Sequence, residues 1–204
     1  MHTENKDEMR ERIIEAALRR FTHYSASKTT MTEIAEDLSC SKASLYYYFP
    51  DKKSVHLAVI SKIGDYYLAA LEKEAGKVES AVASLENVIA IRNEFIQRFC
   101  RLELFKLIND EAIKVFHDEI REAKNREMAV IVKIISKGIE KGEFKAVDPE
   151  ETANLLFHAW IGLRYCFIQD MSTKITEDLD EEQAKVLVQR QKQLLKIFVE
   201  GLKK

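Results

Sequence analysis

Proline and glycine are scarce in this chain: 204 residues hold two Pro and six Gly. An all-β sandwich or barrel needs much denser turn punctuation, so that class is excluded. No GxGxxG or GxxxxGK[ST] stretch occurs, which removes the glycine-rich phosphate loops. Cysteine is sparse too. Cys40, Cys100 and Cys166 stand far apart and make no CxxC pair, as expected in a reducing compartment. No long hydrophobic run is present. Leu155–Leu163 is interrupted by His158 and stops at Arg164, far short of the ~20 residues of a membrane span. The polar, charged stretch Met1–Arg12 is not a signal peptide. The expected location is therefore cytoplasmic. Neither sign of charge dominates, since 32 basic and 34 acidic residues leave a net charge of −2. Any nucleic-acid role must then rest on local features.

What is there is helical periodicity. Ile13, Ile14, Ala17, Leu18 and Phe21 recur three and four apart, with Glu11, Arg12, Glu15, Arg19 and Arg20 on the other face. A polar connector, His23–Lys28, follows. Thr30 with Glu33 three residues later is a capping-box signature and opens a short second helix. Ser41 reads as the N-cap of a third helix, from Lys42 to about Tyr48. Pro50 stops it and Asp51 caps a fourth. Two very short helices separated by a few residues make a helix-turn-helix. Longer helices are expected at 52–76, 80–107, 110–117, 119–141, 149–170 and 181–202. Their break points are Gly76, Asn109-Asp110, Gly142 and Asp148-Pro149, with a polar loop at 171–181. The fold class is all-α: an N-terminal three-helix domain over 1–54 and a larger helical bundle over 55–204.

The segment that carries chemistry is Ser41–Phe49. Leu45 and Phe49 share one face at i, i+4. Lys42 with Tyr46, and Ala43 with Tyr47, occupy other faces. Three of the seven tyrosines are consecutive here. A buried helix seldom carries three adjacent phenols, because each buried O–H needs a partner. A DNA surface satisfies them: hydroxyls meet phosphate oxygens, and lysine reaches guanine O6 or N7. The bland alternative is an exposed or packed aromatic cluster.

Taken together, these residues resemble the TetR family of bacterial transcriptional regulators. The matching positions are Ile14, Ala16-Ala17-Leu18 and Phe21; Thr29-Thr30 and Ile34-Ala35; and Ser41-Lys42, Leu45–Phe49 and Lys52 onward, over about residues 13–59. Two positions depart from the family pattern. Lys28 and Ser39 stand where glycine is usual. The resemblance implies that Lys42, Ala43, Ser44, Tyr46 and Tyr47 lie on a recognition helix in the major groove. It implies phosphate contacts by Thr30, Thr32 and Lys52, with Tyr48 either at phosphate or packed on the first helix. Residues 1–54 carry nine basic and nine acidic side chains. The DNA face must therefore be built by segregation, with Lys28, Lys42, Lys52 and Lys53 on it and Glu11, Glu15, Glu36 and Asp37 away from it.

For the larger part the resemblance implies dimerisation and binding of a small apolar effector. Tyr66, Phe95, Phe99, Phe105, Phe116, Trp160 and Tyr165 are the candidate pocket lining; plain helix core is the alternative for each. A stripe of Ala153, Phe157, Trp160, Ile161 and Ile168, with Leu194, Leu195, Ile197, Phe198 and Leu202 on the last helix, suits a four-helix interface between two subunits. No metal or cofactor is expected: HxxxH, HExxH and CxxC are all missing. No catalytic constellation supports an enzyme. The implied function is a ligand-responsive regulator, most simply a repressor, that binds a palindromic operator as a homodimer. The alternative is a helical small-molecule-binding protein with weak or lost DNA binding.

Overall fold

A computed structural model of the chain describes residues 2–77, 79–99, 116–171 and 181–204. Its helices are α1 (His2–Tyr24), α2 (Met31–Asp37), α3 (Lys42–Tyr48), α4 (Lys52–Lys77), α5 (Ala81–Phe99), α6 (Phe116–Glu140), α7 (Pro149–Met171) and α8 (Glu181–Leu202). No strand occurs among the described residues. None of their helices is long and apolar enough to cross a membrane. The expected breaks at Asn109-Asp110 and in the 171–181 loop fall largely outside the described residues. Gly76 does not end α4, which continues to Lys77. α6 begins at Phe116, so the expected start at 119 is three residues late.

The helix starts follow the capping chemistry read from sequence. The Thr30 hydroxyl accepts from the Glu33 N–H at 3.2 Å, and the Thr30 N–H donates back to Glu33 Oε2 at 2.7 Å. This reciprocal box satisfies N–H groups that the first turn of α2 leaves unpaired. Ser41 Oγ accepts from Ser44 N–H at 3.0 Å, Asp51 Oδ1 from Ser54 N–H at 2.7 Å, and Asp148 Oδ1 from Glu151 N–H at 2.9 Å. Ser39 meets the α2–α3 turn without glycine, at φ +52°. That left-handed conformation costs an L-residue roughly 1–2 kcal/mol. Lys28 has no such burden. The left-handed residue of the first connector is Ser25, at φ +78°.

Two hydrophobic cores organise the chain. The first joins Ile13, Ala17 and Phe21 of α1 to Ile34 and Ala35 of α2, to Leu45 of α3, and to Phe49 just beyond it. Val55, Val59 and Ile63 of α4 complete it. The second is built from α4 to α8 around Leu71, Leu85, Ile131, Ile134, Phe144, Leu156, Trp160 and Leu195. α4 therefore contributes its first turns to one core and its last turns to the other. Close packing fixes the far end of the bundle. A Cβ on Gly138 would lie 2.5 Å from Phe144 Cδ2 and 2.7 Å from Ala81 Cβ. There the Glu143 carboxylate accepts from Ala81 N–H at 3.0 Å and from Ser80 Oγ at 3.0 Å, capping α5.

The expected subunit-interface stripe needs correction. Ala153, Phe157 and Trp160 point into the second core, as do Leu195 and Leu202. The apolar residues that α7 and α8 leave outside are Leu155, Ile161 and Tyr165, and Ile197 at 73% exposure. The hydrophobic stripe nearest to perfect helical spacing is the one the chain itself buries.

Candidate nucleic-acid interface and effector cavities

The third helix divides its residues by face. Leu45 is fully buried and Phe49 nearly so, locking α3 onto α1, α2 and α4. Lys42, Ala43, Tyr46 and Tyr47 are exposed, with Tyr47 at 70% and Tyr46 at 42%. Ser44 is half-buried. Tyr48 is half-buried against the first core, and its ring meets Tyr47 edge-on at 5.1 Å. Lys42 Nζ lies 5.8 Å from the Tyr46 ring centroid. The exposed face thus presents an ammonium, two phenols and a methyl group, the groups that read base edges and phosphates.

Thr30 and Thr32 are exposed at the start of α2. The Thr30 hydroxyl also lies 2.8 Å from Glu33 Oε2 and donates to it. Thr30's hydroxyl and N–H hold the Glu33 carboxyl below its usual range. Lys52, for which the resemblance implied a phosphate contact, stands at the start of α4 and is engaged within the chain. Its ammonium donates to the carbonyls of Ala26, Ser27 and Thr29 at 3.0, 3.2 and 3.0 Å. All three N–H groups of Lys52 are occupied in tying α4 to the α1–α2 connector.

Three of the four acidic residues expected away from the DNA face, Asp37, Glu11 and Glu15, are held in ion pairs. Arg20 Nε and an adjacent guanidinium nitrogen donate to the two Asp37 oxygens at 2.6 and 2.8 Å, and Arg20 also faces Glu33 at 3.3 Å. The Arg20 guanidinium holds the Asp37 carboxyl below its ordinary range. Glu11 and Glu15 meet Lys62 of α4 at 2.6 and 3.3 Å. Two cations that the sequence reading passed over stand beside α3. Lys6 Nζ is 5.1 Å from the Tyr47 ring centroid, and the Arg10 guanidinium is 5.1 Å from that of Phe49. Their signal was available in the i, i+4, i+7, i+11 series Lys6, Arg10, Ile13, Ala17.

Two cavities flank Tyr67 and Phe95, whose rings stand 4.7 Å apart. One, of about 600 Å³, lies between α1, α4 and α5. Leu18, Arg19, Thr22, Tyr66, Tyr67, Glu94, Phe95, Arg98 and Phe99 are among its lining residues. The other, of about 350 Å³, lies among α4, α5 and α6. Ile60, Ile63, Leu68, Phe95, Ile120 and Ala123 line it, with Asp65, Glu119, Glu122 and Arg126. Tyr66, Phe95 and Phe99 of the expected lining therefore come together. Trp160 and Tyr165 line neither cavity. Trp160 is 1% exposed inside the second core, where a bulky ring is packing, and Tyr165 faces outward. Phe105 lies outside the described residues, and of Phe116 only the backbone is described, as the start of α6.

Sequence reasoning gave no hint of the polar group behind Tyr67. Its hydroxyl donates to Glu127 Oε1 at 2.9 Å, and Arg92 makes an ion pair with the same oxygen. Burial pushes the Tyr67 phenol far above its ordinary pKa. For Arg92, burial opposes the charge, and the Glu127 carboxylate outweighs it, so its pKa is raised. Also in the interior, Arg92 Nε, Asn93 Nδ2, Trp160 Nε1 and Gln191 Oε1 have no hydrogen-bond partner among the described residues. Native interiors leave few such atoms.

Short helices meeting at a capped turn, with a polar face on the second, define a helix-turn-helix DNA-binding protein. The comparisons name its kind. The family described as "Bacterial regulatory proteins, tetR family" matches residues 13–59, and "Tetracyclin repressor-like, C-terminal domain" matches residues 103–187. The fold is shared with a transcriptional regulator from Cytophaga hutchinsonii whose crystal structure superposes with a TM-score of 0.84. The two are 32% identical, with 95% of this chain and 98% of that one covered. The HTH-type transcriptional regulator RutR of Escherichia coli is 25% identical over 154 residues, 75% of this chain and 71% of RutR. IcaR of Staphylococcus aureus, a negative transcriptional regulator of a biofilm operon, is 27% identical over 99 residues, 46% of this chain and 53% of IcaR. This chain belongs to the TetR family and is a DNA-binding transcriptional regulator. Proteins of the family bind operators, dimerise and take small-molecule effectors.

Proposed function

We propose that this protein is a cytoplasmic homodimeric repressor that releases a two-fold symmetric operator when an apolar effector enters its larger domain. The observation that carries the reading is the split of α3: Leu45 and Phe49 buried, Lys42, Ala43, Tyr46 and Tyr47 outward. Lys42 and Tyr47 read bases, with Tyr46, Thr30 and Thr32 at the backbone; Ser44 and Tyr48, half-buried, hold α3 in place. Lys52 anchors α4 rather than touching DNA. The 1–54 division keeps its meaning as the DNA-reading part, while α4 serves both parts.

Dimerisation is supported by Leu155, Ile161, Tyr165 and Ile197, apolar side chains left outside on α7 and α8. Two-fold pairing sets two recognition helices against half-sites about one helical turn, or a multiple, apart. The effector reading rests on the cavities beside Tyr67 and Phe95. The larger of them touches Leu18, Arg19 and Thr22 of α1, so an occupant there bears directly on the DNA-reading helices. A ligand shifts the balance of two states only by its differential affinity for them.

The test starts with the DNA fragment that the purified protein enriches from the host genome. Two chains per fragment are expected, and some compound in a small-molecule library should release the complex. Phe95→Leu and Tyr66→Ala should weaken that release while leaving DNA affinity unchanged. Intact operator binding that no compound alters would sink the effector half of the reading. Ligand binding without any DNA enrichment would favour a helical small-molecule-binding protein instead.

A further inference from the structure

The geometry points to a second DNA contact outside the helix-turn-helix: Lys6, with Arg10 behind it, grips the phosphate backbone beside each recognition helix. This rests on the reading of α3 as the DNA-reading element. α1 runs from His2 to Tyr24, so its first eleven residues precede the matched family segment, which opens at residue 13. In the helix, Lys6, Arg10, Ile13 and Ala17 fall on one face, at i, i+4, i+7 and i+11. Ile13 and Ala17 are wholly buried in the first core. The same stripe therefore turns basic where α1 outruns the core and passes over α3.

The contacts follow that rotation. The Lys6 ammonium sits 5.1 Å from the ring centroid of Tyr47, the most exposed tyrosine of α3. Arg10 stacks over Phe49 at 5.1 Å. A cation over a phenol ring that enters a groove stands at the groove's edge, where the phosphates run. Charge balance asks for such a cation. Lys52, the expected phosphate contact, is occupied by three backbone carbonyls. The carboxylates of Glu11 and Glu15 meanwhile turn to Lys62 and leave the Lys6 face positive.

The ligand is the phosphodiester backbone of duplex DNA, so the contact is independent of base sequence. The experiment measures binding against salt for the full chain and for Lys6→Gln and Lys6→Arg, on the enriched operator duplex and on a mixed-sequence duplex. Each phosphate contact adds about 0.9 to the slope of log K against log salt, so losing one per subunit lowers a dimer's slope by about 2. Between 50 and 200 mM salt, Lys6→Gln should then lose about twelvefold less affinity than the parent on the operator. Its slope should fall on the mixed duplex too, whereas Lys6→Arg keeps the parent slope on both. Unchanged slopes for Lys6→Gln, with the parent binding its operator, overturn the contact and leave the reading of α3 standing. A loss matched by Lys6→Arg would show Lys6 acting only as packing for Tyr47 and also overturns it. A parent protein that binds no DNA removes both.

Discussion

The two cores of this chain carry different kinds of information. In the first, side-chain roles are separated by face. Leu45 and Phe49 are core, Tyr46 and Tyr47 are surface, and Thr30, Ser41 and Asp51 are caps. In the second, one residue type serves every purpose. Phe157 and Trp160 pack its interior and Tyr165 faces outward, while Phe95 and Phe99, packed against the first core, wall a cavity between the two. A DNA reader must hold short helices at fixed angles, and that requirement writes itself into spacing. An effector domain needs only enough apolar volume and a gap, which many sequences supply.

That contrast is open to perturbation. Lys42→Ala and Tyr47→Ala should have the largest functional effect. A good base contact is worth about 1–3 kcal/mol, and each occurs twice in a dimer, so operator affinity should fall well over tenfold while thermal stability is unchanged. Fluorescence anisotropy with labelled operator, beside a melting curve, reads both. In the larger domain the greatest cost should come from Glu127→Ala. It strands the buried Arg92 cation and removes the acceptor of Tyr67, so about 3–5 kcal/mol of stability should be lost. Urea unfolding followed through Trp160, the chain's one tryptophan, reports on that core directly.

Gly138→Ala should cost about 1–3 kcal/mol, because its methyl group would collide with Phe144 and Ala81. DNA affinity measured well below the melting temperature should not change. The smallest effect is a gain: Ser39→Gly relieves the left-handed turn between α2 and α3 and gives back part of that in unfolded-chain entropy. A net stabilisation of roughly 0.5–1 kcal/mol is expected by calorimetry. A loss of stability there would mean that the Ser39 side chain supports the turn.

The legible features were those fixed by local chemistry. The caps at Thr30, Ser41 and Asp51 and the division of α3 into faces follow from residue type and the 3.6-residue period. Ser39 was legible as a problem, and the structure meets it with a positive φ. What escaped depended on partners distant in sequence. The sequence does not show that the Lys52 ammonium lies within 3.2 Å of the carbonyls of Ala26, Ser27 and Thr29. The Arg92–Glu127 pair joins residues on α5 and α6 that no periodicity connects. Trp160 was not legible, because a tryptophan in an apolar stripe reads alike as lining, interface or core. Only neighbouring helices decide among these.

The central claim is that the outward face of α3 reads DNA in a two-fold pair. Selection from a pool of random duplexes by the purified protein, at low salt, tests it most directly. The account predicts enrichment of one sequence with two inverted half-sites whose centres lie about one helical turn, or a multiple of it, apart. No enrichment, or enrichment of a single half-site bound by one chain, would contradict it.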